Sequence, residues 1–103
     1  MPSTKGYLDF VLEQLSGLEE VAARGMMGEY ILYYRGRIAG GIYDDRLLVK
    51  PVAAARALLP EAPEEEPYPG AKAMLLVEEV DDRDFLTRLF EAMYPELPER
   101  RPK

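Results

Sequence analysis

The chain has 103 residues, which suits one compact domain, and it contains neither cysteine nor histidine. Disulfides, thiolate nucleophiles and cysteine zinc sites are therefore excluded, and the side chain that most often performs acid–base chemistry near neutral pH is missing. The formal net charge is −6, which disfavours non-specific binding to nucleic acid because that binding depends on neutralising phosphates. We expect a protein that is not an enzyme and that holds no cofactor or metal.

The predicted elements begin with an amphipathic helix over residues 4–18. Its apolar positions recur at spacings of three and four, as on one face of a helix: Tyr7, Leu8, Val11, Leu12 and Leu15. Ser3 or Thr4 can cap its first turn, and Ser16-Gly17 favours its end.

Residues 21–50 predict four short strands joined by tight turns, an antiparallel meander. The strands cover residues 21–26, 29–34, 37–43 and 46–50, and apolar side chains alternate along them. Arg35-Gly36 and Asp44-Asp45 supply turn chemistry, and Gly28 favours a bulge or a further turn. Strict alternation in the third strand predicts two faces, which hold Ile38, Gly40 and Ile42 on one side and Ala39, Gly41 and Tyr43 on the other.

The last part of the chain predicts a short helix, an acidic loop, a fifth strand and a final helix. Pro51 begins the short helix, and Pro60 ends it. Residues 60–70 form an exposed loop, residues 72–78 form a strand, and Asp81 or Asp82 caps the final helix. The order α-β-β-β-β-α-β-α predicts an α+β two-layer sandwich with helices packed on the sheet. We expect one domain over residues 1–95 and a flexible tail over residues 96–103.

Several short sequence motifs occur in an order that is typical of one protein family. They are Arg24-Gly25-Met26-Met27-Gly28, Leu32-Tyr33-Tyr34, Arg35-Gly36-Arg37 and Ile42-Tyr43-Asp44-Asp45-Arg46-Leu47-Leu48-Val49-Lys50, followed by the strand that leads into the last helix. On the basis of these motifs the chain resembles, over nearly its whole length, the N-terminal domain of the TfoX/Sxy family of competence regulators. Glu29 stands where that family often has a second glycine.

This resemblance implies a mode of action and a partner. Two-domain members of the family continue into a C-terminal helical domain, whereas this sequence stops at Lys103, so the resemblance implies a stand-alone N-terminal module. Members promote transcription of competence genes together with the cyclic-AMP receptor protein. The resemblance therefore implies a protein partner that is a transcription factor or a regulator associated with RNA polymerase.

The exposed groups around the meander's turns form the candidate interaction surface, because the core does not need them. Asp44-Asp45 could instead bind a metal, but a hairpin turn favours Asp for its own hydrogen bonds. Tyrosines beside Arg35 and Arg37 could stack on bases, but such aromatic side chains more often pack under helices. The candidate surface comprises Arg24, Gly28, Glu29, Arg35, Arg37, Asp44, Asp45, Arg46 and Lys50.

The leading hypothesis is a small regulatory module that acts by contacting another protein. One alternative is a small-molecule or metal-binding protein that uses Arg24, Asp44, Asp45 and tyrosines in a cleft between the sheet and the last helix. Another is a structural homodimer formed through an open sheet edge, so the chain is expected to be a monomer or a homodimer. No apolar run approaches the roughly 18 residues that a membrane span needs, and we expect a cytoplasmic protein.

Overall fold

The protein, described by a computed structural model over residues 3–97, has one antiparallel sheet with helices packed on one of its faces. The elements in chain order are α1 (Lys5–Gln14), β1 (Val21–Met26), β2 (Glu29–Tyr34), β3 (Arg37–Ile42), β4 (Leu47–Val49), α2 (Ala53–Leu58), β5 (Glu64–Glu65), β6 (Met74–Val77), α3 (Arg83–Met93) and a 3-10 turn (Tyr94–Glu96). The strands lie in the order β1-β2-β3-β4-β6-β5. The predicted α+β two-layer fold is confirmed.

The strand β5 was not expected, because it lies inside the acidic loop over residues 60–70. It is only two residues long and pairs with the start of β6, where Glu65 lies opposite Met74. A strand this short, made of two glutamates, carries no alternation of apolar and polar residues that could predict it. Its consequence is that the loop is tied to the sheet edge and then turns back over the sheet.

The meander is joined by two-residue turns in which both residues have positive φ. These φ values are 55° and 86° at Met27-Gly28, 55° and 84° at Arg35-Gly36, and 55° and 56° at Asp44-Asp45. Such type I′ turns match the right-handed twist of the strands that they connect. The turns predicted at Arg35-Gly36 and Asp44-Asp45 are confirmed.

The core lies between the sheet and the three helices described within residues 3–97. Side chains of α3 fill its centre, and the ring of Tyr34 in β2 meets the ring of Phe90 edge-on at a centroid distance of 6.3 Å. The largest fully buried side chains of this core come from helices and strands alike: Val11, Leu15, Leu32, Ile42, Leu47, Val49, Leu75, Leu86, Leu89, Phe90 and Met93. Burying each large aliphatic side chain contributes about 1.5–3 kcal/mol, so this core supplies most of the drive for folding.

Both long helices begin at the predicted capping residues. The hydroxyl of Thr4 accepts a hydrogen bond from the backbone N–H of Tyr7 at 3.2 Å, and the carboxylate of Asp82 accepts one from Phe85 at 3.1 Å. Such caps satisfy backbone donors that have no partner inside the helix and contribute about 1 kcal/mol each. The first helix is shorter than predicted, since it ends at Gln14.

The predicted alternation along β3 is wrong at Ala39. The pairing of β2 with β3 shifts register between Leu32 and Tyr33 and skips Ala39, so Ala39 and Ile42 both join the core beneath the helices. Glycine permits this bulge: a Cβ on Gly40 would lie 2.8 Å from the Cα of Val49 and closer still to a backbone oxygen. A strict period of two cannot anticipate a bulge that depends on contact with the neighbouring strand.

The C-terminal end of the described chain packs against the domain. Leu97 is buried, and the carboxylate of Glu96 accepts a hydrogen bond from the backbone N–H of Ala54 at 2.7 Å. The first two residues of the predicted flexible tail, 96–103, are therefore held in place, and residues 98–103 lie outside the described part of the chain. Among the helices within residues 3–97, none has the length and apolar character needed to cross a membrane.

Candidate functional site

The nine residues of the predicted interaction surface do not form one surface. In an antiparallel meander successive turns alternate between the two ends of the sheet, so Gly28 and Asp44-Asp45 lie at one end and Arg35-Gly36 at the other. Strands of six residues separate the two ends by roughly 20 Å. A single contact that includes both Arg35 and Asp45 would have to run along the whole length of the strands.

At the first end, two carboxylates anchor the N-terminal segment to the turns. One carboxylate oxygen of Glu29 accepts hydrogen bonds from the hydroxyl of Ser3 at 2.6 Å and from the backbone N–H of Asp44 at 3.1 Å. A carboxylate oxygen of Asp45 accepts one from the backbone N–H of Thr4 at 2.8 Å. Glu29 and Asp45 therefore fix the start of α1 against the sheet, which is a structural role.

Two of the predicted arginines also serve the fold. The guanidinium of Arg37 donates to the carbonyl oxygens of Tyr94 at 3.1 Å and Leu97 at 3.4 Å, and its carbon lies 4.4 Å from the centre of the Tyr94 ring. Arg46 donates to the carbonyl oxygen of Tyr43 at 3.1 Å and forms an ion pair with Glu65. Arg37 thus holds the C-terminal turn to the sheet, and Arg46 holds β5 beside the β3-β4 turn.

Arg24 and Lys50 lie instead on the outer face, the face of the sheet opposite the helices. Arg24 is directly opposite Ile31, Ile31 opposite Gly41, and Gly41 opposite Leu48, so these positions share one face. Leu48 packs in a small second cluster separate from the main core. The outer face also exposes large apolar side chains, with 42% of Met26 and 36% of Ile38 accessible to solvent. Neither residue is among the nine of the predicted interaction surface.

A groove of about 480 Å³ runs over this outer face. Its floor is formed by strand residues, and one wall comes from the loop that follows β5, where Tyr68 stands 6.5 Å from Tyr43 between ring centres. Gly41 leaves the space that the Tyr43 ring occupies, since a Cβ there would lie 2.5 Å from a ring carbon. The main lining residues are Met26, Ile31, Ile38, Tyr43, Lys50, Tyr68, Lys72 and Met74.

One of the side chains that line the groove, that of Tyr43, has a shifted pKa. Burial raises the pKa of Tyr43 above its ordinary value, and the nearby Tyr68 and then Glu29 raise it further. Its phenol therefore stays protonated at neutral pH. Tyr43 can therefore form a wall of the groove and donate a hydrogen bond to a ligand.

The alternative that places a cleft between the sheet and the last helix is not supported by the packing of the described residues. The α3 side chains that face the sheet, among them Leu86, Leu89 and Phe90, are completely buried against it, so the two layers are in full contact. Amphipathic helices must bury their apolar stripe, which closes such a cleft. Within residues 3–97, no group of three or more acidic side chains is placed to hold a metal ion.

The fold and the outer face together define a class of small α+β protein, with helices covering one side of a sheet and a partly open apolar face on the other. The chain belongs to the TfoX N-terminal domain family, which matches residues 13–95. It is 34% identical over 80 residues to a protein of Spirochaeta aurantia, described as an uncharacterized 12.7 kDa protein in the 5′ region of trpE, with 78% of this chain and 70% of that protein covered. No solved structure shows a significant match to the chain.

Proposed function

We propose that this protein is a non-enzymatic regulatory module that binds a protein partner through the outer face of its sheet. The observation that carries the proposal is the exposure of Met26 and Ile38 beside Arg24 and Lys50, on a face that no described helix covers. Apolar surface removed from water contributes about 25 cal/mol per Å², and a contiguous exposed apolar patch is a common mark of a binding site.

The roles of the turn residues support this choice of surface. Glu29 and Asp45 are engaged by the N-terminal segment, and Arg37 is engaged by the C-terminal turn. A partner that bound these groups would have to compete with hydrogen bonds that hold the fold together. Arg24 and Lys50 have no such structural role, because neither forms an ion pair within residues 3–97. Both lie beside exposed apolar side chains of the outer face.

Family membership supports the regulatory part of the proposal. Members of the TfoX/Sxy family act on competence genes together with a transcription factor, so the partner proposed here is a transcription factor or a regulator associated with RNA polymerase, met in the cytoplasm. The net charge of −6 favours contact with such a protein over direct contact with DNA, because negative charge repels phosphates.

The proposal is tested by quantitative affinity purification from the native cell with two matched variants. Ile38→Asp places a charge on the outer face, and Phe10→Asp places one on α1, where the exposed fraction of the original side chain is nearly the same, 38% against 36%. We expect wild type and Phe10→Asp to recover the same partner in stoichiometric amount. Ile38→Asp should recover at least tenfold less of this partner, which corresponds to a loss of about 1.4 kcal/mol in binding free energy. Equal recovery by both variants would exclude the outer face as the contact surface.

A second candidate function, a structural homodimer, is favoured by the position of β1. This six-residue strand lies at the edge of the sheet, and within residues 3–97 it pairs only with β2, so one row of its backbone N–H and C=O groups is available to another strand. Light scattering on the purified protein tests this candidate, because a β1-to-β1 dimer doubles the mass of 11.7 kDa.

A further inference from the structure

The charges around the outer face are separated by sign. The chain has 19 acidic and 13 basic residues, yet the charged side chains that line the groove are both lysines, Lys50 and Lys72. Arg24 lies further along the same face, opposite Ile31. Within residues 3–97, none of these three cations forms an ion pair. A groove with this lining in an acidic protein is complementary to a ligand that carries negative charge.

The acidic side chains gather on the far side of Tyr68. A separate depression there is lined by Glu29, Asp44 and Glu66 together with Arg46 and the same Tyr68 ring. The Tyr68 ring lines both and therefore forms a ridge between a cationic apolar groove and an acidic depression. A ligand with carboxylates is attracted to the cationic side of this ridge and repelled from the acidic side. Such a ligand therefore has a preferred direction of approach to the groove.

The shape of the groove favours a polypeptide over a small molecule. Tyr68 is 55% exposed and Met26 is 42% exposed, so the groove is open to solvent along its length. Sites for small ligands usually bury 70–90% of the ligand, roughly, which an open trough on a sheet does not do. A peptide that crosses the trough can place apolar side chains on its floor and leave polar side chains at its rim.

We propose that the groove binds a segment of the partner protein in which large apolar side chains alternate or interleave with Asp or Glu. The apolar side chains would rest on Met26, Ile31 and Ile38, and the carboxylates would meet Lys50 and Lys72. This inference rests on the proposed function, since it names the chemistry of the segment that the outer face recognises.

Selection from a random peptide library tests the inference even where the partner is unidentified. Peptides of about twelve residues displayed on phage are selected against the immobilised full chain, and the affinity of an enriched peptide is measured by fluorescence polarisation. We expect enrichment of Asp or Glu beside Leu, Phe or Trp. The double variant Lys50→Glu/Lys72→Glu should weaken binding of that peptide by about tenfold or more. The control Lys5→Glu, on α1 and away from the groove, should leave the affinity unchanged.

A second measurement, with a charge-reversed peptide, distinguishes recognition of charge from damage to the fold. A version of the selected peptide with Lys in place of its acidic residues should bind poorly to wild type and regain affinity for the double charge-reversal variant. Enrichment of basic or uncharged peptides, no enrichment at all, or a double variant that binds the acidic peptide as wild type does would overturn the inference.

Decanoate is the small-molecule probe, because it combines an apolar chain with one carboxylate. Displacement of the selected peptide by decanoate at an equal concentration would show that the groove is a small-ligand site and would also overturn the inference. These results are independent of the affinity purification: a partner that needs Ile38 but ignores the charges of Lys50 and Lys72 would leave the proposed function intact.

Discussion

Replacement of Gly40 by alanine tests the packing that shapes the sheet. The added Cβ would lie 2.8 Å from the Cα of Val49, well inside the roughly 3.5–4.0 Å at which carbon atoms attract one another, and closer still to the carbonyl oxygen of Leu48. Both neighbours are backbone atoms of β4, a strand that is completely buried and paired on both sides. The strand cannot move aside without breaking pairing with β6.

Overpacking of this kind costs about 1–3 kcal/mol and more where nothing can yield, and we place Gly40→Ala at about 3 kcal/mol. Alanine offsets about 0.5–1 kcal/mol of this cost because it lowers the entropy of the unfolded chain. The free energy of unfolding should therefore fall by about 2 kcal/mol or more. Urea unfolding followed by circular dichroism should show a midpoint lower by roughly 1–2 M.

Gly6→Ala is the matched control, since a Cβ on Gly6 would meet no atom within 4 Å. Gly6 lies in the first turns of α1, where alanine is the better helix former, so this variant should gain about 0.5–1 kcal/mol. A Gly40→Ala protein within about 0.5 kcal/mol of wild type would refute the reasoning, because it would mean that β4 can yield at little cost.

Three further substitutions give expected results of different kinds. Met27→Asn should raise the free energy of unfolding by about 0.5 kcal/mol, because position 27 has φ of 55° and asparagine tolerates this conformation better than methionine; an unchanged urea midpoint would contradict this. Arg37→Ala should lower the free energy of unfolding by about 1.5–3 kcal/mol through loss of its hydrogen bonds to Tyr94 and Leu97, whereas the exposed Arg88→Ala should change it by less than about 0.5 kcal/mol; equal effects in thermal unfolding would refute the role of Arg37. Tyr43 has a raised pKa in the folded state, so its contribution to stability is complete below the ordinary tyrosine pKa and is lost as the pH rises through the higher folded value. Between about pH 9 and pH 11 the urea midpoint of Tyr43→Phe should therefore fall less than that of wild type, and parallel falls would speak against burial as the cause.

The elements of the meander could be predicted because their causes are local. Aromatic and β-branched residues mark β2, and Arg35-Gly36 and Asp44-Asp45 carry turn chemistry within two residues of the strand ends. The caps Thr4 and Asp82 act within three residues of themselves. Patterns of this kind depend on neighbours in the sequence, so strands β1 to β4 have their predicted bounds to within one residue, whereas the first helix ends at Gln14 and not at residue 18.

The features that depend on distant contacts could not be predicted in the same way. The hydrogen bond between Ser3 and Glu29 joins residues 26 positions apart, and it turns a residue expected to face a partner into an anchor of the N-terminus. The bulge at Ala39 depends on how closely β4 approaches Gly40. Neither relation leaves a periodic trace in the sequence.

The groove was missed for a related reason. Its floor is visible in the sequence as outward-facing positions such as Ile31, but its wall exists only because the loop after β5 brings Tyr68 back over Tyr43. Tyr68, the only large apolar side chain in an acidic loop, was the available signal for this contact. An isolated aromatic residue among prolines and glutamates indicates that a loop packs on something, and the sheet supplies the surface.

Site-specific photocrosslinking in the native cell tests most directly the claim that the outer face is the binding surface. A photoreactive phenylalanine is placed at Ile38 on the outer face, at Phe10 on α1, or at Arg35 at the far turn, all exposed positions. We predict one saturable adduct with the partner from position 38 and none from positions 10 and 35. Adducts from position 10 or 35 with none from position 38 would contradict the claim and move the binding surface to the helices or to the turn.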